Sequence, residues 1–341
     1  MRKIMEEKID FVITWVDGND PKWLKEKKKY ELDNESDESD DRDIRFRDMG
    51  TLKYLFRGIE KFSPWVNKIY FVTWGHLPDW LDTDNPKLEI INHKDFIPEK
   101  YLPTFNSNTI DLNLYRIKNL SKNFVYFNDD MFILKALKPT DFFKKGLPCN
   151  EATLSVATPE KRHHNYTPIM NMEIINEYFS RQEVMKKHPF QWFNLKYGKY
   201  LLANFCLLPW KKFSGIRYDH LPSSLQKGTF EELWRKEHDI FDMTCMNKFR
   251  SPYDINQWLL QDWQICTGNF VPRSIKIGEG NIDVNDDLKS NEKIYKSISK
   301  PKYKMTAIND MIFNENNFDE VKKHILQNFE ILLPSPSSFE R

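Results

Sequence analysis

Three apolar runs rich in β-formers stop abruptly in polar turns, and this pattern constrains the fold more than any other feature of the chain. Ile9 to Trp15 closes in Asp17-Gly18-Asn19-Asp20-Pro21, Ile69 to Trp74 closes in Gly75-His76, and Phe124 to Phe127 runs straight into Asn128-Asp129-Asp130. Short continuous apolar runs bounded by turn residues read as buried strands. Leu88 to Asn92 predicts another. Met49 to Phe62 carries Leu52, Leu55, Phe56, Ile59 and Phe62 at helical spacing, and Thr109 to Leu120 carries Ile110, Leu114, Ile117 and Leu120. Strands alternating with helices predict an α/β fold with a largely parallel sheet.

Beyond Leu134 the pattern loosens, and residues up to Ile216 read as an insertion or lid rich in aromatics. Phe230 to His238 and Asp254 to Cys266 read as helices, residues 286 to 304 as a polar segment with six lysines, and the end from Leu333 as a non-helical tail. The acidic run between Glu31 and Asp43 reads as a solvated loop, because its charges repel. Aromatics at 14% support a core and exclude wholesale disorder. Lys+Arg 51 against Asp+Glu 50 leaves a net +1, which argues against a polycation for nucleic acid. The four cysteines form no CxxC pair and read as buried thiols of a reducing compartment. No window approaches a membrane span, and Met1 to Glu7 leads into no signal-peptide core, so a cytoplasmic location is expected.

In open α/β sheets ligands bind at the carboxyl ends of strands. Asp129 and Asp130 there suit Mg²⁺ or Mn²⁺, which take one or two carboxylates plus phosphate oxygens; the plain alternative is a turn. Asp111 is either a functional acid or a first-turn acid complementing a helix dipole. Arg116 is either a phosphate clamp or a surface helix residue. The pair His163-His164 is weak as a chelate, since sequence neighbours point apart. His220, in Asp219-His220-Leu221-Pro222, could be an acid/base group, a substrate donor or a structural histidine. Arg250, in Lys248-Phe249-Arg250-Ser251-Pro252, could meet a phosphate.

Ile9-Asp10-Phe11-Val12-Ile13-Thr14-Trp15-Val16-Asp17-Gly18 resembles the first sequence block of the Stealth family of sugar-phosphate transferases. A second block runs from Arg45-Phe46-Arg47-Asp48 through Phe56-Arg57-Gly58 and Leu102-Pro103-Thr104-Phe105-Asn106-Ser107 to Asn128-Asp129-Asp130. Asp219-His220-Leu221-Pro222 and Lys248-Phe249-Arg250-Ser251-Pro252-Tyr253-Asp254 resemble the third, and Ile308-Asn309-Asp310 the fourth. The resemblance implies a glycosyltransferase-A-like (Rossmann-like), mostly parallel sheet flanked by helices. Residues 8–135 would form the nucleotide-binding core, 136–216 an insertion or lid on the acceptor side, and 217–341 the part completing the active site. The overall length and the Ser-Ser-Phe-Glu ending resemble bacterial members.

The family moves a hexose-1-phosphate from a UDP-sugar to a sugar hydroxyl and releases UMP. Carried over residue by residue, its functional positions fall on Asp111, Asp130, His220 and Arg250. The resemblance implies a UDP-hexose or UDP-N-acetylhexosamine donor. It also implies Mg²⁺ or Mn²⁺ on Asp129 and Asp130, Arg250 on the transferred phosphoryl group, and His220 or Asp111 as proton acceptor. Thr14, Trp15, Asp17, Thr73 and Trp74 are expected to line the nucleotide pocket, with Arg57 and Arg116 as donor-binding cations. The acceptor is expected to be a glycan on a lipid carrier at the inner membrane face. The lysines at 289, 293, 296, 300, 302 and 304 are the candidate for electrostatic attachment, against their reading as a solvated loop. The rival functions are a Leloir glycosyltransferase, which would release UDP, and a non-catalytic sugar-binding protein of a capsule complex.

Overall fold

Side chains of the central strands are buried on both faces and alternate between two cores. In β1 (Ile9–Thr14), Ile9, Phe11 and Ile13 join one hydrophobic core while Val12 joins a second on the opposite face. A strand covered on both faces reads as an unbroken apolar run, which is why the sequence signal was so plain. The computed structural model describes residues 7–31, 47–158 and 166–341. The acidic run beyond Glu31, Arg45-Phe46 and the pair His163-His164 lie outside the described residues.

After β1 come α1 (Pro21–Glu31), α2 (Leu52–Phe62), β2 (Ile69–Thr73), β3 (Leu88–Asn92), α3 (Ser107–Asn113), β4 (Asn123–Asn128) and β5 (Met131–Ile133). The middle region holds α4 (Pro139–Phe142), β6 (Phe143–Lys144), β7 (Leu147–Asn150), α5 (Thr167–Tyr178), α6 (Arg181–Lys187), α7 (Pro189–Trp192) and α8 (Leu201–Cys206). The last third holds β8 (Ser223–Gln226), α9 (Lys227–Lys236), α10 (His238–Met246), α11 (Trp258–Cys266), β9 (Val271–Pro272), β10 (Gly278–Asn285), α12 (Leu288–Ser299), β11 (Met305–Met311) and α13 (Glu315–Leu332).

The main sheet has the order β3-β2-β1-β4-β8. β3, β2, β1 and β4 run parallel, and β8 adds an antiparallel edge on β4. The expected α/β class with a mostly parallel sheet is therefore observed. From β1 the chain builds outward through β2 and β3, then crosses back to place β4 on the other side of β1. That reversal opens a crevice beyond the carboxyl ends of β1 and β4, where Thr14 and Asn128 stand in register. A smaller sheet, β10-β11-β5, packs α12 and α13 over the first core. The helices of residues 136–216 are not detached from the body, since Ile175, Trp192, Tyr197 and Phe213 sit in the second core.

Three expectations change. The helix expected from Thr109 to Leu120 ends at Asn113 and passes into a 3-10 turn, where the Asn113 side chain donates through Nδ2 back to the Thr109 carbonyl (2.8 Å) and accepts at Oδ1 from Arg116 Nε (2.9 Å). Residues 288–299 are helix α12, not a loop. Asp287 caps its amino end, and Tyr295 and Ile298 bury against the core. Cys206 is exposed, whereas Cys149, Cys245 and Cys266 are buried, and all four are free thiols. No helix among the described residues is long and apolar enough to cross a membrane.

Candidate active site

A cleft of about 780 Å³ opens at the crevice between β1 and β4. Its walls include Thr14 and Trp15 from the end of β1, Asp129 and Asp130 after β4, Asp111 from α3, and His220 and Arg250 from loops of the last third. Asp111, Asp130, His220 and Arg250, scattered over the sequence, thus converge on one site.

Asp111 is buried, and burial pushes its carboxyl up to about 7, although the Tyr126 hydrogen bond and the Arg250 charge pull the other way. Tyr126 lies on the second-core face of β4. Its hydroxyl donates to Asp111 Oδ1 at 2.7 Å and lies 3.2 Å from Thr14 Oγ1. A polar chain thus links β1, β4 and α3 across the crevice.

Asp129 and Asp130 project from the turn after β4. Burial and the neighbouring Asp130 charge raise the Asp129 carboxyl to about 7. Asp130 Oδ2 meets His220 Nε2 at 2.9 Å, while its buried Oδ1 has no hydrogen-bond partner. Burial alone would lower the His220 pKa, but the Asp130 charge and hydrogen bond outweigh it and raise it. Among the described residues no group of three His, Cys, Asp or Glu is arranged to hold a metal ion. The donor set is oxygen-only, with one buried carboxylate oxygen unpartnered and two carboxylates side by side. This fits a hard divalent cation that completes its shell with phosphate oxygens.

His220 has a φ of +41°, an uncommon conformation for a residue with a Cβ. The strand behind it explains how this is held. The β10–β11 register slips between Glu279 and Ile282, and there Gly280 lies against the Asp219–His220 backbone. A Cβ on Gly280 would stand 1.5 Å from the Asp219 carbonyl oxygen, so only glycine permits the approach. Asp219 is held by Arg217, whose guanidinium lies 3.6 Å over the Tyr200 ring.

Arg250 donates to Ser107 Oγ through Nε (3.0 Å) and Nη2 (2.6 Å). Its loop is tied to the start of α3 by the buried Asp254. That carboxylate accepts from Asn106 Nδ2 (2.8 Å), Asn108 Nδ2 (3.2 Å), Asn247 Nδ2 (2.7 Å) and the Ser251 amide (2.9 Å). Neither Asp254 nor Tyr126 was singled out from the sequence. Tyr126 lies two positions before Asn128, hence on the same strand face, and that period was the available signal. Arg47 grips Asp310 through Nε and Nη2, both at 2.9 Å, and joins the segment before α2 to β11 at the rim.

Two arginines are not brought to the cleft. Arg57 is buried against Glu340 (2.8 Å) and Glu330 (3.1 Å) and donates to the Leu333 carbonyl (2.8 Å), so its charge is taken up by the carboxyl-terminal segment. Arg116 donates to Asn113 and stacks over Tyr115 and Trp234 on α9. Asp17, Thr73 and Trp74 lie behind the lining. The Asp17 amide donates to His76 Nε2 (2.7 Å), Thr73 Oγ1 accepts from the Gly75 amide (2.8 Å), and Trp74 packs with Trp23, Phe105 and Phe249.

Conserved region 1 of the Stealth proteins matches residues 7–35, and conserved region 2 matches residues 45–150. The capsular polysaccharide phosphotransferase WcwK of Streptococcus pneumoniae is 44% identical over 337 residues, covering 98% of each chain. The exopolysaccharide phosphotransferase cps2G of Lactiplantibacillus plantarum is 38% identical over 334 residues, covering 98% of this chain and 96% of that one. Among solved structures, the galactosyltransferase LgtC in complex with donor and acceptor sugar analogues aligns with a TM-score of 0.36 at 12% identity, covering 92% of this chain and 95% of that one. With two conserved regions in order and full-length relatives of this closeness, the chain belongs to the Stealth family, alongside its polysaccharide phosphotransferases.

Proposed function

We propose that the protein transfers a hexose-1-phosphate from a UDP-hexose or UDP-N-acetylhexosamine to a hydroxyl of a capsular or cell-surface glycan. The acceptor oxygen attacks the phosphorus that carries the sugar, the bond to the bridging oxygen breaks, and UMP leaves with a phosphodiester left behind. The observation that carries this reading is the convergence of Arg250, paired carboxylates and a carboxyl poised near neutrality in one cleft at the sheet's switch point. Phosphoryl transfer asks a protein for positioning and charge neutralisation more than for covalent help.

Thr14 and Trp15 line the nucleotide side. Arg250, its fork held by Ser107, faces the transferred phosphoryl group; losing such a contact costs about 2–4 kcal/mol of transition-state stabilisation. Asp111 accepts the acceptor's proton, since a base near the working pH combines availability with driving force. His220 orients Asp130. Asp129 and Asp130 would hold Mg²⁺ or Mn²⁺, which when bound neutralises charge on the pyrophosphate. The acceptor is lipid-linked, and the enzyme acts in the cytoplasm at the inner face of the membrane.

Purified protein with a UDP-sugar panel and acceptor tests the reading. UMP as by-product, a phosphodiester signal in phosphorus NMR, loss of turnover in excess EDTA and an inactive but folded Asp130→Asn are expected. UDP as by-product would instead make the enzyme a Leloir glycosyltransferase.

A further inference from the structure

The middle region carries a surface that the reaction does not use. Of the large apolar side chains exposed among the described residues, Phe190, Leu195, Leu202, Phe205, Leu208 and Trp210 fall within one short segment running from α7 to the turn after α8. Phe190 and Leu195 are each 87% exposed, Leu202 66% and Trp210 60%, so these side chains stand largely in solvent. Lys186, Lys187, Lys196, Lys199, Lys211 and Lys212, which flank or interleave with them along the chain, are exposed as well. From Val184 to Tyr218 there is no Asp or Glu, in a chain with 50 acids among 341 residues.

The segment is rigidly seated. Asn204 pins the inner side of α8 by donating to the Ala152 and Trp192 carbonyls (2.8 and 2.6 Å) and accepting from the Leu154 amide (2.6 Å). The buried Arg181 donates to the Leu208 (2.6 Å) and Trp210 carbonyls, fixing the turn that presents both side chains. Trp192 and Tyr197 fill the core beneath. Apolar and aromatic side chains held outward among exposed lysines, in a stretch of chain that carries no carboxylate, match an anionic bilayer. The apolar groups enter the headgroup boundary, and the lysines pair with lipid phosphates.

We infer that residues 189–212 form a docking surface for the anionic face of a lipid bilayer. This surface leads directly to the site, because Tyr200 at the start of α8 carries Arg217, which holds Asp219 next to His220. The lysines of α12 are a poorer candidate, because Asp283, Asp286, Asp287 and Glu292 accompany them and no comparable set of exposed apolar side chains does. The inference concerns binding and stands whether the proposed transfer is right or wrong.

Co-sedimentation with phosphatidylcholine vesicles containing one-third phosphatidylglycerol, and with pure phosphatidylcholine vesicles, tests it. Four proteins are compared: wild type; Phe190→Ser/Leu195→Ser/Leu202→Ser/Trp210→Ser; Lys196→Gln/Lys199→Gln/Lys211→Gln/Lys212→Gln; and a variant with the six lysines of residues 289–304 changed to glutamine. Wild type should bind the anionic vesicles, more weakly at high salt. Each patch variant should bind at least tenfold more weakly while keeping its melting temperature and its turnover on a water-soluble acceptor, and the 289–304 variant should bind as wild type does. Wild type that stays in the supernatant, or equal binding by the serine variant, overturns the inference. A wild-type dimer that the serine variant dissociates, without vesicle binding, would assign the patch to self-association instead.

Discussion

Asp111 shows how burying a single carboxyl in a cleft makes stability depend on pH. Its pKa lies at about 7 in the folded protein against an ordinary 3.8. Below about pH 4 both states hold the proton and nothing is lost. As pH rises from there to about 7, the unfolded chain ionises first, so the native state loses stability and carries the full penalty above neutrality. Asp111→Asn keeps an oxygen for Tyr126 and removes the titration. We expect turnover to fall at least about 100-fold while the melting temperature rises at pH 8, a gain that disappears at acid pH; thermal melts across pH check it. Wild-type turnover should rise with pH through about 7, and Asp111→Glu should move that inflection. Arg250 is a contrasting case, half-buried and with its guanidinium bonded to the Ser107 hydroxyl. Arg250→Ala should lower turnover at least about 30-fold with little change in melting temperature, whereas a large stability loss would mark it as structural.

At the level of elements, the bulge of β10 governs the His220 loop. Gly280→Ala places a Cβ against the Asp219 carbonyl, and overpacking of this kind costs about 1–3 kcal/mol. Because the strand must retreat, turnover should fall at least tenfold as well, and a crystal structure of the variant should show the loop displaced. The strands that bear the site were legible in the sequence because both of their faces are buried, which turns each into a solid apolar run. Their polar endings pointed to Asp129 and Asp130 for the same reason. β10 and β11 were not legible, since β10 (Gly278–Asn285) is half exposed and broken by its bulge. The lysine-rich helix α12 read as a loop because its buried positions, Asn291, Tyr295 and Ile298, are too few to dominate its composition. Asp254 went unnoticed because its role rests on Asn106, Asn108 and Asn247, partners that only the tertiary fold brings together. Arg57 misled for the converse reason: an arginine beside apolar helix positions shows its charge in sequence, but not the Glu340 that occupies it.

On the scale of the whole molecule, that Arg57–Glu340 pair closes the carboxyl-terminal segment over α2. Both side chains are buried, and removing one partner of such a pair typically costs about 3–5 kcal/mol. Arg57→Ala should therefore lower the melting temperature sharply but leave KM for the UDP-sugar near its wild-type value at a permissive temperature. A large rise in KM with unchanged stability would return Arg57 to the donor site. The cleft has the same long reach as this pair. Thr14 and Arg250 face one cavity, yet about two-thirds of the chain lies between them. Contacts of such separation form late, after the loops between them have closed. The core beneath β1 has the same reach, because Phe11 and Ile13 share it with Val284, Ile325 and Phe329 from the last third of the chain. The segments that bring His220 and Arg250 to the cleft thus lie next to those that complete the core beneath it, so the cleft is not assembled before its support is.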